Sequence, residues 1–119
     1  MAQHNELGKQ GEEKALIFLL KQGYKIVATN WHEHKFEIDI IALNNNEIVF
    51  VEVKTRATDF FGSPEEAVTT AKQQHLINGA NYYLEQNEID LNARFDVIAI
   101  VLNKNKVVIN HIKDAFNAF

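Results

Sequence analysis

The chain has 119 residues, a formal net charge of −4 and no cysteine. This length suits one domain, 1–119, with a single core. The absence of cysteine excludes disulfides and thiolate metal sites and agrees with a reducing cytoplasm, where we expect the protein. The first ten residues are polar and no apolar run approaches the ~20 residues that cross a bilayer, so we expect neither a secretory signal nor membrane association. The negative charge is unfavourable for phosphate binding, although a bound divalent cation would offset part of it.

The hydrophobic pattern predicts an α/β fold in the order α-β-β-β-α-β-β, a central mixed sheet flanked by helices. A first helix is predicted over 5–22 with Gly23 as its terminating glycine. Ile- and Val-rich segments predict strands over 24–31, 36–43, 47–55, 94–102 and 106–111. Ser63, Pro64 and Glu66 predict the start of a second helix, as N-cap, first helical residue and capping-box partner, and this helix should end near Gln86. The last residues predict a short helical tail.

The second and third strands are predicted to form a hairpin around 44–46, since Asn tolerates the positive φ of a tight turn. A two-residue loop at 45–46 sets the register. It places Leu43 opposite Ile48, Ile41 opposite Phe50, Asp39 opposite Glu52, and Glu37 opposite Lys54. Apolar pairs then lie near the turn and charged pairs at the far end, whereas a slip by one residue would put Asp39 and Glu52 on opposite faces.

Two carboxylates that face each other in this way repel unless a positive charge lies between them. Oxygen ligands suit Mg²⁺ or Mn²⁺, and such an ion can activate water for attack on a phosphate. Lys54, two residues after Glu52 on the same strand face, would position or deprotonate that water or neutralise developing charge. Asp39, Glu52 and Lys54 are thus the minimum set for phosphodiester hydrolysis. The alternative is an ion pair of Lys54 with Glu52 or Glu37 that only solvates the end of the sheet.

Other polar residues carry weaker arguments. Glu12 near the start of the first helix fits stabilisation of the helix dipole. His32 and His34 share one predicted strand face and could bind a metal, but an exposed pair is favoured. Three basic residues could contact phosphates, although single basic residues usually only solubilise a surface: Lys35, Arg56 and Lys72. For Arg94 and Asp96 we expect a structural ion pair.

The arrangement of Asp39, about a dozen intervening residues and then Glu52-Val53-Lys54 resembles the PD-(D/E)xK nuclease superfamily. Nearly the whole chain resembles the YraN-like family of bacterial proteins. The motifs that carry this second resemblance are Gly8-x-x-Gly11-Glu12, Gly23-Tyr24, Asn30-Trp31, Glu37 to Ala42, Val49 to Arg56, Phe61-Gly62-x-Pro64-x-x-Ala67-Val68, Lys72 and Arg94 to Val97. Two positions depart from the family pattern, since His32 stands where we expect an Arg and Phe36 where we expect a Gly. The lost Arg would remove a phosphate contact, and Phe36 would put bulk next to the site.

The likeness to archaeal Holliday-junction resolvases implies a restriction-endonuclease-like fold and a structure-selective, Mg²⁺-dependent DNA nuclease that forms a homodimer. It also implies that Glu12 is a third acidic member of the site. We therefore predict that Asp39 and Glu52 bind Mg²⁺ or Mn²⁺ with help from the Val53 carbonyl and Glu12. A catalytically inactive nucleic-acid-binding module and a protein-interaction domain on the same fold remain alternatives. The intact Asp39, Glu52 and Lys54 favour the enzyme, whereas His32, Phe36 and the acidic pI favour the other two.

Overall fold

The computed structural model describes residues 2–58 and 68–117. Its elements are α1 (Ala2–Lys21), β1 (Lys25–Glu33), β2 (Phe36–Asn44), β3 (Glu47–Arg56), α2 (Thr70–Gln86), β4 (Asn92–Leu102) and β5 (Val107–Phe116). The predicted α/β order α-β-β-β-α-β-β is confirmed. In the described part of the chain, no helix is long and apolar enough to cross a membrane.

The five strands form one mixed sheet in the order β1-β2-β3-β4-β5. Strands β1, β2 and β3 pair antiparallel, β3 and β4 pair parallel, and β4 and β5 pair antiparallel. The parallel pair requires a long connection, which contains α2. Strands β1 and β5 are the two edges of the sheet.

Gly23 ends α1 as the sequence predicts. Its φ is +93°, a conformation that glycine adopts without steric penalty. The Gly23 N–H donates to the Leu20 carbonyl at 3.1 Å, and the Tyr24 N–H donates to the Leu19 carbonyl at 3.0 Å. This pair of bonds is a Schellman motif, which satisfies carbonyls at the helix end and turns the chain into β1.

The β2–β3 hairpin has the predicted two-residue loop. Asn45 adopts a φ of +58°, and Asn44 pairs with Glu47. The register Leu43–Ile48 and Ile41–Phe50 follows, as predicted, and the regular pairing extends to Ile40–Val51.

Two predicted helical segments differ from the structure. The helix that ends at Gln86 begins at Thr70, because Thr69 is extended and its hydroxyl accepts the Lys72 N–H at 3.2 Å as an N-cap. The predicted start at Ser63, with Pro64 and Glu66, lies outside the described residues. The predicted helical tail is instead the end of β5, where the ring of Phe116 stacks on that of Phe95 at 5.2 Å.

The sheet separates two apolar cores, with one helix over each face. Ala15 and Leu19 of α1 pack with Val49, Val51 and other residues of one face. Residues of α2 pack on the other face, in a cluster that includes Leu76, Ile77, Ile48, Phe50 and Val97. The sheet is thus buried on both sides at β3, so Glu52 of that strand has little access to water.

Candidate active site

The candidate site begins where β2 and β3 stop pairing. A continued ladder would set Val53 opposite Ile38, but the described pairing ends at Ile40–Val51. The Val53 N–H donates to Oδ2 of Asp39 at 2.8 Å instead. The Asp39 side chain therefore occupies the place of a backbone acceptor between the two strands, and this bond fixes its carboxylate.

A break in side-chain alternation accompanies this arrangement. Ile38 and Ile41 pack in the same core, on the α2 side, while Ile40 packs on the α1 side. Asn30, opposite Asp39 in the β1–β2 register, has a φ of +53°. Strict side-chain alternation is therefore interrupted between Ile38 and Ile40, at the position of Asp39.

Glu52 is buried beside Asp39, with 6% of its surface exposed. Its Oε2 atom lies 3.8 Å from Nζ of Lys72 on α2. Lys54, on the same strand, also acts on Glu52, since its charge lowers the pKa of that carboxyl. The structure thus brings Asp39, Glu52 and Lys54 together, and Lys72 joins them from the second helix.

Glu12 reaches Asp39 from α1. The approach depends on Gly11, since a Cβ built on that residue would lie 2.8 Å from the Cβ of Thr55 on β3. The Thr55 hydroxyl oxygen is buried and has no hydrogen-bond partner among the described residues. The close contact of α1 with β3 at this point therefore places the Glu12 carboxyl next to the Asp39 carboxyl.

The three carboxyl groups perturb one another. Burial, followed by the charge of Asp39, raises the pKa of Glu12 to about 7. The same two causes raise the pKa of Glu52 to about 8, against the opposing charges of Lys72 and Lys54. Burial also raises the pKa of Asp39, although the Val53 N–H and Lys72 oppose the rise. Buried acids that are crowded in this way are a feature of functional sites, because a bound positive charge stabilises their ionised forms.

A polar pocket of about 470 Å³ opens beside Glu12 and Asp39. It is also lined by Lys9 of α1 and by His32 and Glu37 of the β1–β2 hairpin. Sequence reasoning missed Lys9 as a site residue. The only signal available was its position one turn before Glu12, on the same side of the helix. Lys9 is exposed and supplies a positive charge at this pocket.

The two histidines do not form the predicted exposed strand pair. His32 lines the polar pocket, and its Nε2 lies 3.8 Å from Oε2 of Glu37. His34 lies beyond the end of β1 with a φ of +54° and bonds to the hydroxyl of Tyr82 at 3.0 Å. The positive φ turns His34 away from the strand, so the His32 and His34 side chains lie on different surfaces.

Phe36 is accommodated by α2. Its ring packs against those of His75 and Tyr82, at 5.7 and 5.6 Å between centroids. A Cβ on Gly79 would lie 3.2 Å from the Phe36 Cβ, so this glycine makes room for the ring. The Phe36 ring is therefore received by α2, where Gly79 leaves room for it.

The other predicted phosphate contacts lie nearer the surface. Arg56 is exposed at the end of β3, two residues after Lys54, and donates to the Thr55 carbonyl at 3.1 Å. Lys35 is exposed in the β1–β2 turn, where its carbonyl accepts a bond from His75 at 3.1 Å. Lys72 is half-buried and directed at Glu52.

The donor set fits a hard divalent cation. Glu12, Asp39 and Glu52 supply carboxylate oxygens, and the backbone of Val53 is adjacent. Within the described ranges, no three acidic or histidine side chains form a ready-made coordination group. Mg²⁺ does not need one, since it commonly takes one or two carboxylates and completes its shell with waters and phosphate oxygens.

Comparisons with known proteins assign the family. Residues 11–100 match the uncharacterised protein family UPF0102. The chain is similar to UPF0102 proteins of Flavobacterium psychrophilum and Christiangramia forsetii, with 49% and 46% identity over 119 residues that cover all of each chain. It is 44% identical over 118 residues to a UPF0102 protein of Parabacteroides distasonis, across 99% of this chain and 98% of the relative. The chain therefore belongs to the uncharacterised protein family UPF0102, the YraN-like proteins.

Proposed function

We propose that this protein is an Mg²⁺-dependent nuclease that hydrolyses phosphodiester bonds of DNA. The observation that carries the proposal is the meeting of Glu12, Asp39 and Glu52, three carboxyl groups from three separate elements, with Lys54 beside them. A purely structural cluster would be expected to pair each buried acid with a base. Here burial raises the pKa values of all three acids, and the opposing charges of Lys72 and Lys54 do not cancel the rise for Glu52.

Asp39 and Glu52 would hold the cation, assisted by the Val53 carbonyl and by Glu12. A divalent cation at this position would polarise a phosphate oxygen and lower the pKa of a coordinated water. The Val53 N–H keeps Asp39 in one orientation, so little rearrangement is needed when a cation binds. Mn²⁺ would serve as well, because it accepts the same oxygen ligands.

Lys54 would position or deprotonate the attacking water, or neutralise charge that develops on the phosphate. Lys9, Lys72, Arg56 and Lys35 would supply attraction for the phosphate backbone around the polar pocket. The attraction of these side chains for phosphate would act against the net charge of −4.

The resemblance to junction resolvases extends the proposal to branched DNA as the substrate and to a restriction-endonuclease-like ancestry. We also propose that the protein forms a homodimer and acts in the cytoplasm. Selectivity of this kind would come from DNA shape rather than base sequence, because the site offers carboxylates and basic side chains for backbone contacts.

The test is incubation with branched, single-stranded and duplex DNA in Mg²⁺, Mn²⁺ or EDTA. We expect cleavage with either metal, none in EDTA, and none by Asp39→Asn. Asp90→Asn is the matched control, since Asp90 is an exposed aspartate outside the site. Binding of DNA without cleavage under any condition would favour the inactive binding module, and neither binding nor cleavage would favour the protein-interaction domain.

A further inference from the structure

A second pocket lies on the α2 side of the sheet, between the end of β1 and the end of α2. It encloses about 280 Å³ and is lined by Trp31, Glu33, Tyr82, Tyr83, Gln86 and Asn87. Neither Lys nor Arg is among these described lining residues, so the chemistry does not suit a phosphate. The volume is slightly below the range typical of drug-sized ligands, which suits a single flat ring system.

The aromatic walls of this pocket are held in place by one another. The Trp31 ring meets Tyr83 edge-on at 5.4 Å and Tyr82 at 6.4 Å with a tilt of 43°. Tyr83 is buried, while Trp31 and Tyr82 are half-buried and reach the surface. His34 fixes Tyr82 through its hydroxyl at 3.0 Å. A planar ligand could therefore stack on Trp31 or Tyr82 without a large rearrangement.

The polar rim is richer in hydrogen-bond acceptors than in donors. Glu33 is exposed, and an ionised carboxylate only accepts. Nδ2 of Asn87 donates one of its two N–H groups to the Tyr83 carbonyl at 2.9 Å, so one N–H group and the amide oxygen remain available. Gln86 can offer either function. This rim fits a flat ring that carries an exocyclic amino group, as in cytosine, adenine and guanine.

We propose that this pocket binds an unpaired nucleobase with an exocyclic amino group. This deepens the proposed function, because it names an unpaired base of the nucleic acid as the group recognised beside the acidic site. His32 lines the polar pocket beside Glu12 and Asp39, while its neighbours Trp31 and Glu33 line the aromatic pocket. These neighbours lie on the edge strand β1, so a single strand that crosses this edge can reach both pockets. A base inside a duplex cannot enter, since its faces are already stacked.

Aromatic walls with a carboxylate are also found in sites for methylated ammonium groups. Two features favour the base. The carboxamides of Gln86 and Asn87 have no role toward an ammonium that lacks N–H groups. The polar pocket, where the nucleic acid would be cleaved, also lies across the same strand. A quaternary ammonium is therefore an alternative that the test must separate.

Trp31 is the only tryptophan of the chain and lines this pocket, so tryptophan fluorescence reports on its wall. The protein is titrated in EDTA, where metal-dependent cleavage is prevented, with short oligodeoxycytidine, oligothymidine, an abasic strand of equal length, and choline. We expect saturable quenching by oligodeoxycytidine, several-fold weaker binding of oligothymidine, and no quenching by the abasic strand or choline.

Variants separate stacking from the hydrogen bonds and from the acidic site. Tyr82→Ala should weaken binding of oligodeoxycytidine about tenfold or more, because a ring that stacks on the base is lost. Tyr82→Phe loses the bond to His34 but keeps the ring against Trp31 and Phe36, so it should bind far more tightly than Tyr82→Ala, which controls for a folding defect. Glu33→Gln should reduce the preference for oligodeoxycytidine over oligothymidine. Asp39→Asn should leave the quenching unchanged, so failure of the nuclease proposal is distinguishable from failure of this one.

Three outcomes would overturn the proposal. Equal quenching by the abasic strand would assign the effect to phosphate contacts. Quenching by choline alone would make the pocket an ammonium site. No saturable quenching by any oligonucleotide would show that the pocket does not bind bases.

Discussion

Gly11 of the first helix rests directly against Thr55 of the third strand. A Cβ on Gly11 would lie 2.8 Å from Cβ and 2.9 Å from Cγ2 of Thr55, closer than such atoms approach in folded proteins. Because the next residue is Glu12, this contact sets the distance between that carboxyl and Asp39.

We expect Gly11→Ala to push α1 away from β3 and to separate Glu12 from Asp39. Mn²⁺ affinity, measured by calorimetry, should fall to the level of Glu12→Gln, and the double variant should fall no further. Gly8→Ala is the matched control on the same helix, since nothing lies within 4 Å of a Cβ there. That control should bind Mn²⁺ normally and gain slightly in helix stability.

Removal of the Thr55 side chain tests whether contact with it causes the loss of Mn²⁺ affinity in Gly11→Ala. Thr55→Gly deletes the atoms that a methyl group on residue 11 would meet, so it should restore Mn²⁺ binding to Gly11→Ala. Restored binding despite a lower melting temperature would identify a positioning effect. If Gly11→Ala binds Mn²⁺ as tightly as Gly8→Ala, the contact does not control the site.

Lys54→Ala should abolish cleavage while DNA affinity remains nearly intact. Lys54 would act on the attacking water and on charge that develops in the transition state, so its loss should appear in kcat, by about 10²–10⁴. The measurement is single-turnover cleavage together with a binding titration. Lys113→Ala, an exposed lysine on β5, is the control. A purely structural Lys54 would instead cost about 1 kcal/mol or less in stability and leave cleavage unchanged.

The metal-free protein should lose stability as the pH rises from about 5 to about 8. The folded-state pKa values of Glu12 and Glu52 are raised to about 7 and about 8, above the ordinary value of 4.5, so the folded state binds more protons than the unfolded state in this window. Unfolding is therefore favoured as these protons are lost. The charged groups that act on them are Asp39, Glu37, His32, Lys72 and Lys54.

Thermal melts in EDTA across this window test the prediction, and Glu52→Gln should flatten the curve. Mn²⁺ should reverse the slope, because it binds the ionised carboxylates and its affinity should rise with pH. A melting temperature in EDTA that climbs steadily from about pH 5 to about pH 8 would contradict the raised pKa values.

Arg94→Met should destabilise the protein by about 3–5 kcal/mol without weakening Mn²⁺ binding. Arg94 donates to Asp96 through Nε at 2.9 Å and Nη2 at 2.8 Å, and Asp96 is completely buried. Without the guanidinium, the bonds left to this buried carboxylate among the described residues would be those from His111 and the Asp114 N–H. Urea unfolding measures the loss, and Lys25→Met on the exposed edge strand is the control. A loss of Mn²⁺ affinity in Arg94→Met would link this network to the acidic site.

The sequence by itself determined the order of elements, the β2–β3 register from the turn as far as Ile41–Phe50, and the Arg94–Asp96 pair. These features depend on local signals: apolar periodicity, a two-residue Asn turn, and a glycine at the end of α1. Arg94 and Asp96 are two residues apart on one strand and therefore share a face, so the local sequence is enough to predict their pairing.

Only the tertiary structure decided which distant groups meet. Glu12 reaches Asp39 because Gly11 allows a helix to lie on a strand more than forty residues away, and no local pattern encodes that contact. His111 carries no motif, yet its Nε2 lies 2.7 Å from Oδ2 of Asp96 because β5 folds back on β4. The aromatic pocket likewise forms only when the ends of β1 and α2 pack together. In each case packing of the elements, rather than local sequence, sets the distance between the groups.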